Sequence, residues 1–175
     1  MRLALGSMLS KHEPFPAVVM DRAWNVLQAN DGAQRLFGEL LAPEPLPEPA
    51  NVLDLMIEPG AVRDAVLNWE AVVPELLERC RREAVGGVID PATAERLERF
   101  RSRRDVASLI DQAAAAKPTL PVIDVAFAFG GDRLSFFSVV STIGTPIDVT
   151  AQELRVEAFF PGNAETHQAW TRGTG

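Results

Sequence analysis

The side chains with reactive potential are few and poorly placed for catalysis. The two histidines, His12 and His167, lie near opposite ends of the chain, in segments that read as mobile. No glycine-flanked nucleophile stands near either, so the sequence offers no Ser-His-Asp arrangement. The single cysteine, Cys80, falls on an apolar helical stripe, where a buried structural thiol is the simpler reading. Arg79, Arg81 and Arg82 beside it keep an activated thiolate as the minority reading. No Cys/His cluster has metal-ligand spacing, so no metal is expected. Two strand-borne acids, Asp124 and Glu157, could act as a general acid or base, but both fall on faces assigned outward.

Gly130-Gly131-Asp132 supplies one acid where a hairpin holding metal and nucleotide needs two. Arg133 and Leu134 follow, so a glycine turn is the better account. Gly144-Thr145-Pro146 lacks the glycine loop and lysine that cradle phosphates. The arginines Arg96, Arg99, Arg101, Arg103 and Arg104 are interleaved with Glu95, Glu98 and Asp105, which reads as a solvated, salt-bridged helix face rather than a nucleic-acid patch. The remaining signal is apolar. Phe127, Phe129, Phe136 and Phe137 sit on adjacent strands with few polar partners, as a packed core or a ligand pocket requires.

These residues need elements to position them. Ala17–Met20 and Trp24–Ala29 read as two strands of a hairpin across Asp21-Arg22-Ala23. Asn30 or Asp31 caps a helix carrying Ala33, Leu36, Phe37, Leu40 and Leu41. Four prolines between Pro43 and Pro49 impose a loop. Asn51 caps a short helix through Ile57, closed by Pro59-Gly60. Val62, Val66, Trp69, Val73, Leu76, Cys80 and Ala84 predict one long helix, kinked or restarted at Pro74 and stopped by Gly86-Gly87. Asp90-Pro91 opens another, carrying Ala94, Leu97 and Phe100, and Asp105 caps a further turn through Ile110. After Lys117-Pro118 the pattern changes to strands: Ile123–Phe129, Leu134–Ile143 and Leu154–Phe160, with Leu154, Val156, Ala158 and Phe160 on one side. Both registers of Leu134–Ile143 are partly apolar, which leaves its inward face open. Glu165–Trp170 reads as a short terminal helix.

Two strands, several helices and three strands predict an α+β fold. The expected form is a PAS-like five-stranded antiparallel sheet with inserted helices covering one face. The 175 residues, 47% of them hydrophobic and 23% charged, suffice for one well-buried domain. Residues 1–13 read as an N-terminal connector helix, 14–165 as the PAS-like domain and 166–175 as a tail. A net charge of -7 argues against direct binding to nucleic acid or anionic lipid. No apolar run approaches the roughly 20 residues that span a bilayer. The first nine residues only superficially resemble a signal peptide, and one cysteine fits a reducing cytoplasm.

Ala17-Val18-Val19-Met20-Asp21-Arg22-Ala23-Trp24-Asn25-Val26-Leu27-Gln28-Ala29-Asn30 resembles the opening hairpin of the MmyB-like ligand-binding domain, the C-terminal half of many XRE-type helix-turn-helix regulators. Asn51-Val52-Leu53-Asp54-Leu55 resembles its next helix opening. The stretch from Leu134-Ser135-Phe136-Phe137-Ser138 through Gly144-Thr145-Pro146-Ile147-Asp148-Val149-Thr150 to Glu157-Ala158-Phe159-Phe160-Pro161 is similar to its closing signature. The likeness runs over about residues 12 to 165. It implies a pocket for a small apolar effector such as a fatty acid, and DNA binding only through a helix-turn-helix that these residues do not contain. Val106-Ala107-Ser108-Leu109-Ile110 replaces an aromatic-rich segment of one branch of the family, so that branch's pocket details do not carry over.

The combined expectation is a cytoplasmic, cofactor-free, non-enzymatic sensor, homodimeric and without membrane contact. Its effector would lie between Phe127, Phe129 and Phe136 on the sheet and Phe37, Leu53, Met56, Trp69 and Leu76 on the helices. A dimerisation or scaffold domain with a solid core is the first alternative. An α+β enzyme using Asp124 or Glu157 is the second.

Overall fold

The structure, a computed structural model, describes residues 2–82, 89–115, 124–143 and 154–172. The helix stop at Gly86-Gly87, the Lys117-Pro118 boundary, Ile123 and the closing run Gly144–Thr150 lie outside them. Five strands form one antiparallel sheet: β1 (Ala17–Met20), β2 (Val26–Ala29), β3 (Asp124–Phe129), β4 (Asp132–Ile143) and β5 (Leu154–Pro161). Their order is β2-β1-β5-β4-β3, so the two ends of the chain meet at the sheet centre, where β1 pairs with β5. Helices α2 (Asp31–Leu41), α3 (Val52–Ile57), α4 (Ala61–Ala65), α5 (Trp69–Arg82), α6 (Pro91–Arg101) and α7 (Arg104–Ala115) stand between the second and third strands. They pack on one face of the sheet and bury Leu36, Leu53, Val62, Val73, Leu97, Phe100 and Val106 against it. The expected α+β sheet with inserted helices is thus what the chain forms.

Asparagine side chains set the local turns. Asn30 Oδ1 accepts from the Ala33 N–H at 2.9 Å, capping α2, and from the Ala17 N–H at 2.8 Å. Its Nδ2 donates to Phe15 O at 2.8 Å. Asn51 Oδ1 caps α3 through the Leu53 and Asp54 N–H groups, while its Nδ2 donates to Ala23 O at 2.8 Å and Asn25 Oδ1 at 2.9 Å. A buried amide that fills both roles is fully satisfied, and it fixes two segments at once. Gly32 cannot carry a side chain, because a Cβ there would lie 2.5 Å from Pro14 O. Gly130 and Gly131, at φ 58° and 87°, make the tight β3–β4 turn, as the glycine-turn reading requires.

The single long helix predicted from Val62 to Ala84 is broken. α4 ends at Ala65, and Val66 forms an antiparallel bridge to Phe127. The Leu67 N–H donates to Ala126 O at 2.7 Å; Asn68 accepts from the Ala126 N–H at 2.9 Å and donates to Asp124 O at 2.7 Å. This segment covers the free edge of β3, which would otherwise present unpaired backbone groups. α5 then runs through Pro74 without a new start. Trp24 lies outside β2, at φ 68°, where the sequence reading had continued the strand.

α1 (Arg2–Lys11) covers part of the opposite sheet face, where Leu5 and Leu9 meet Ala17, Val19, Leu154 and Val156. α8 (Ala164–Arg172) docks Trp170, fully buried, edge-on to Phe136 and tilted against Phe129. The arginine run is salt-bridged, but largely to another helix. Arg96 and Arg99 hold Asp54 at 3.1 and 2.6 Å, and Arg99 and Arg103 hold Glu58 at 3.0 and 2.6 Å. Arg103 and Arg63 both hold Asp105, at 2.7 and 2.8 Å, and Arg103 foremost keeps that carboxyl well below the usual range.

Candidate functional site

Register decides which side chains face the helices. Cross-strand partners share a face, and the pairs Val18↔Glu157, Phe159↔Ser138, Phe136↔Val125 and Leu134↔Phe127 all look toward the helical layer. The inward register of β4 is therefore Leu134, Phe136, Ser138 and Val140. Leu154 and Val156 share the other face, under α1.

Between sheet and helices lies a narrow cavity of about 40 Å³. Val18, Val125, Phe127 and Phe159 form its sheet side; Phe37, Val52, Met56, Val72 and Leu76 form its helical side. One corner is polar, made by Arg79 of α5, Ser138 of β4 and Glu157 of β5. Arg79 Nη1 lies 3.1 Å from Glu157 Oε1, and the Ser138 hydroxyl donates to the same oxygen at 2.6 Å. Arg79 also reaches Ser138 Oγ at 3.4 Å, closing a triangle. The Glu157 side chain is 6% exposed and that of Arg79 15%. An ion pair this deep is held by its own hydrogen bonds, and removing either partner costs about 3–5 kcal/mol. The Arg79 and Arg155 guanidiniums stand 5.6 and 5.5 Å from the Trp24 ring, within cation–π range.

Of the eight residues expected around a ligand, Phe37, Met56, Leu76 and Phe127 line this cavity. Leu53 is fully buried elsewhere in the core. Phe129 and Phe136 pack on Trp170. Trp69 donates its Nε1–H to Met56 O at 2.8 Å and lies under Arg63 at 3.8 Å. The outward assignment of Glu157 is corrected: it points into the cavity. Its parity is that of Phe159, and both faces of β5 are covered, so the more apolar parity did not mark the helical side. Asp124 does face away from the helices, where it accepts from the Ser135 hydroxyl at 2.7 Å. Arg79 was legible in principle, since it follows Val72 and Leu76 at helical spacing.

The histidines are not isolated at two loose ends. His12 Nε2 lies 2.7 Å from Phe159 O, and Phe15 stands between the two imidazoles, 6.3 Å from His12 and 5.4 Å from His167. Neither reaches the cavity. A wider surface cleft of about 310 Å³ opens between the proline loop and α3–α4, lined by Pro47, Pro49, Asp54 and Glu58 among others. Its two acids are already bound by arginines of the α6 region. Among the described residues no group of three His, Cys, Asp or Glu could hold a metal ion, and no helix is long and apolar enough to cross a membrane.

A family model for the MmyB-like transcription regulator ligand binding domain matches residues 1–172. The chain belongs to that family. The match takes in α1 and α8 together with the sheet and inserted helices. Among solved structures, this MmyB-like domain is similar to the PAS domain of Bordetella pertussis BvgS, at 17% identity and a TM-score of 0.36, over 98% of this chain and 95% of the other. A search of curated protein sequences finds no match.

Proposed function

We propose that this domain senses a small, largely apolar effector in the cavity between sheet and helices, and that occupancy is passed to an attached DNA-binding helix-turn-helix. The observation that carries the reading is the position of the cavity. Its walls come from both layers, so a guest touches both and favours the packing that makes room for it. A fatty acid is one molecule of the required kind. The reading includes a cytoplasmic homodimer and no catalytic step; Val139, 48% exposed beside the stacked Phe137 and Phe160 on the outer sheet face, is available for a subunit contact.

Native mass spectrometry of the purified chain, followed by organic extraction, tests this directly. The expected result is a bound apolar small molecule, lost in a Val72→Phe variant that fills the cavity while the fold persists. The volume of about 40 Å³ favours a second reading, a solid-core dimerisation domain. An empty protein that gains no thermal stability from apolar compounds selects it.

A further inference from the structure

A cavity of about 40 Å³ holds little more than a water molecule, whereas small-molecule pockets run to roughly 300 Å³ or more. If an effector binds there, as the sensor reading above holds, a wall must move. The sheet side is covered behind by α1, and α5 is backed by α7. The short helix α3 has space behind it. Val52 and Met56 face the cavity, while Asp54, Leu55 and Glu58 line the outer cleft of about 310 Å³. Its two ends are held differently. At the start, the Val26 N–H donates to Ala50 O at 2.8 Å and the Val52 N–H to Trp24 O at 3.0 Å, and the Asn51 amide ties the same turn to Ala23 and Asn25. At the far end, side chains hold the backbone: Trp69 Nε1–H on Met56 O at 2.8 Å and Arg103 Nη1 on Ile57 O at 3.2 Å. Pro59-Gly60 follows, where a Cβ on Gly60 would meet nothing within 4 Å.

We propose that α3 is the door of the cavity. Its C-terminal end swings into the outer cleft as an effector enters, about a hinge at Ala50–Val52, and the Trp69–Met56 bond is the latch. Arg99 and Arg103 have flexible side chains that can follow Glu58, so their ion pairs pass the swing to α6 and the turn after it. The Trp69 indole is a rigid ring stacked under Arg63 at 3.8 Å, so its bond to Met56 O breaks. The guest stays among Met56, Val72, Leu76 and Phe127, and the cleft takes up only the displaced helix.

Hydrogen exchange at the indole N–H groups of the whole chain, followed by nuclear magnetic resonance with and without saturating hexanol, tests this. Trp170, fully buried and bonded to Pro14 O at 2.7 Å, is the internal reference. Hexanol should accelerate exchange at Trp69 by on the order of tenfold or more and leave Trp170 unchanged. Trp69→Phe keeps an aromatic ring and loses the latch. Since one hydrogen bond of the closed state is gone, it should bind hexanol about fivefold more tightly in isothermal titration. Near-ultraviolet circular dichroism establishes that the variant is folded; should it not be, exchange on the unaltered chain decides alone. Hexanol binding with Trp69 exchange unchanged, equal acceleration at both indoles, or a folded Trp69→Phe that binds no more tightly overturns the door and leaves the sensor reading standing. Binding of hexanol to neither chain overturns both.

Discussion

Glu157 is a charged residue among apolar ones on the helical side of the sheet, and its neighbours make that position tenable. Arg79 supplies the opposite charge, Ser138 a second donor, and Val18 and Phe159 the surrounding surface. At the same scale Phe127 is 1% exposed and forms part of the cavity wall. Phe127→Ala should cost about 3–5 kcal/mol in urea unfolding, since the lost burial is compounded by the enlarged void. Asp105 has a depressed carboxyl pKa because Arg103 foremost, and Arg63, hold its ionised form. The folded pKa lies below the unfolded value of about 3.9, so the associated stability is present above that pH and lost as pH falls through the folded value. Asp105→Asn should therefore lower stability by at most about 1 kcal/mol at neutral pH, as these partly exposed ion pairs allow, and the gap should close below about pH 4 in an acid titration of unfolding.

Among the elements, those decided by local chemistry were legible in the sequence. Asn30, Asn51 and Asp90 cap the helices expected of them, Pro91 occupies the first turn of α6, and Gly130-Gly131 makes its turn. The break between α4 and α5 was not legible, because Val66 preserves the helical spacing of apolar residues that strand pairing interrupts. What wins there is the free edge of β3, a partner distant in sequence. Asn68→Ala removes both side-chain bonds that tie this segment to β3. At roughly 1 kcal/mol per bond, hydrogen exchange at the Ala126 amide should accelerate by one to two orders of magnitude, more than exchange elsewhere in the core. Uniform exchange rates across the sheet would count against this anchoring role.

For the molecule as a whole, the order of strands and helices was enough to give an antiparallel sheet with helices on one face. Half of the expected contact residues line one cavity, because Phe37, Met56, Leu76 and Phe127 are large apolar groups on elements that must meet. The polar corner was missed for one reason: β5 is covered on both faces, by α1 and by the inserted helices, so apolar alternation along it could not show which side holds the cavity. The dispersed ends of the chain are likewise drawn in, Leu5 and Leu9 on one face and Trp170 against Phe129 and Phe136. The central claim is that an effector enters between the two layers and nowhere else. Methyl-resolved nuclear magnetic resonance during titration with hexanol tests it most directly. The account predicts the largest shifts at Met56, Val72, Leu76 and Val18. Shifts concentrated instead at Leu41, Leu55 and Val62, around the outer cleft, would contradict it.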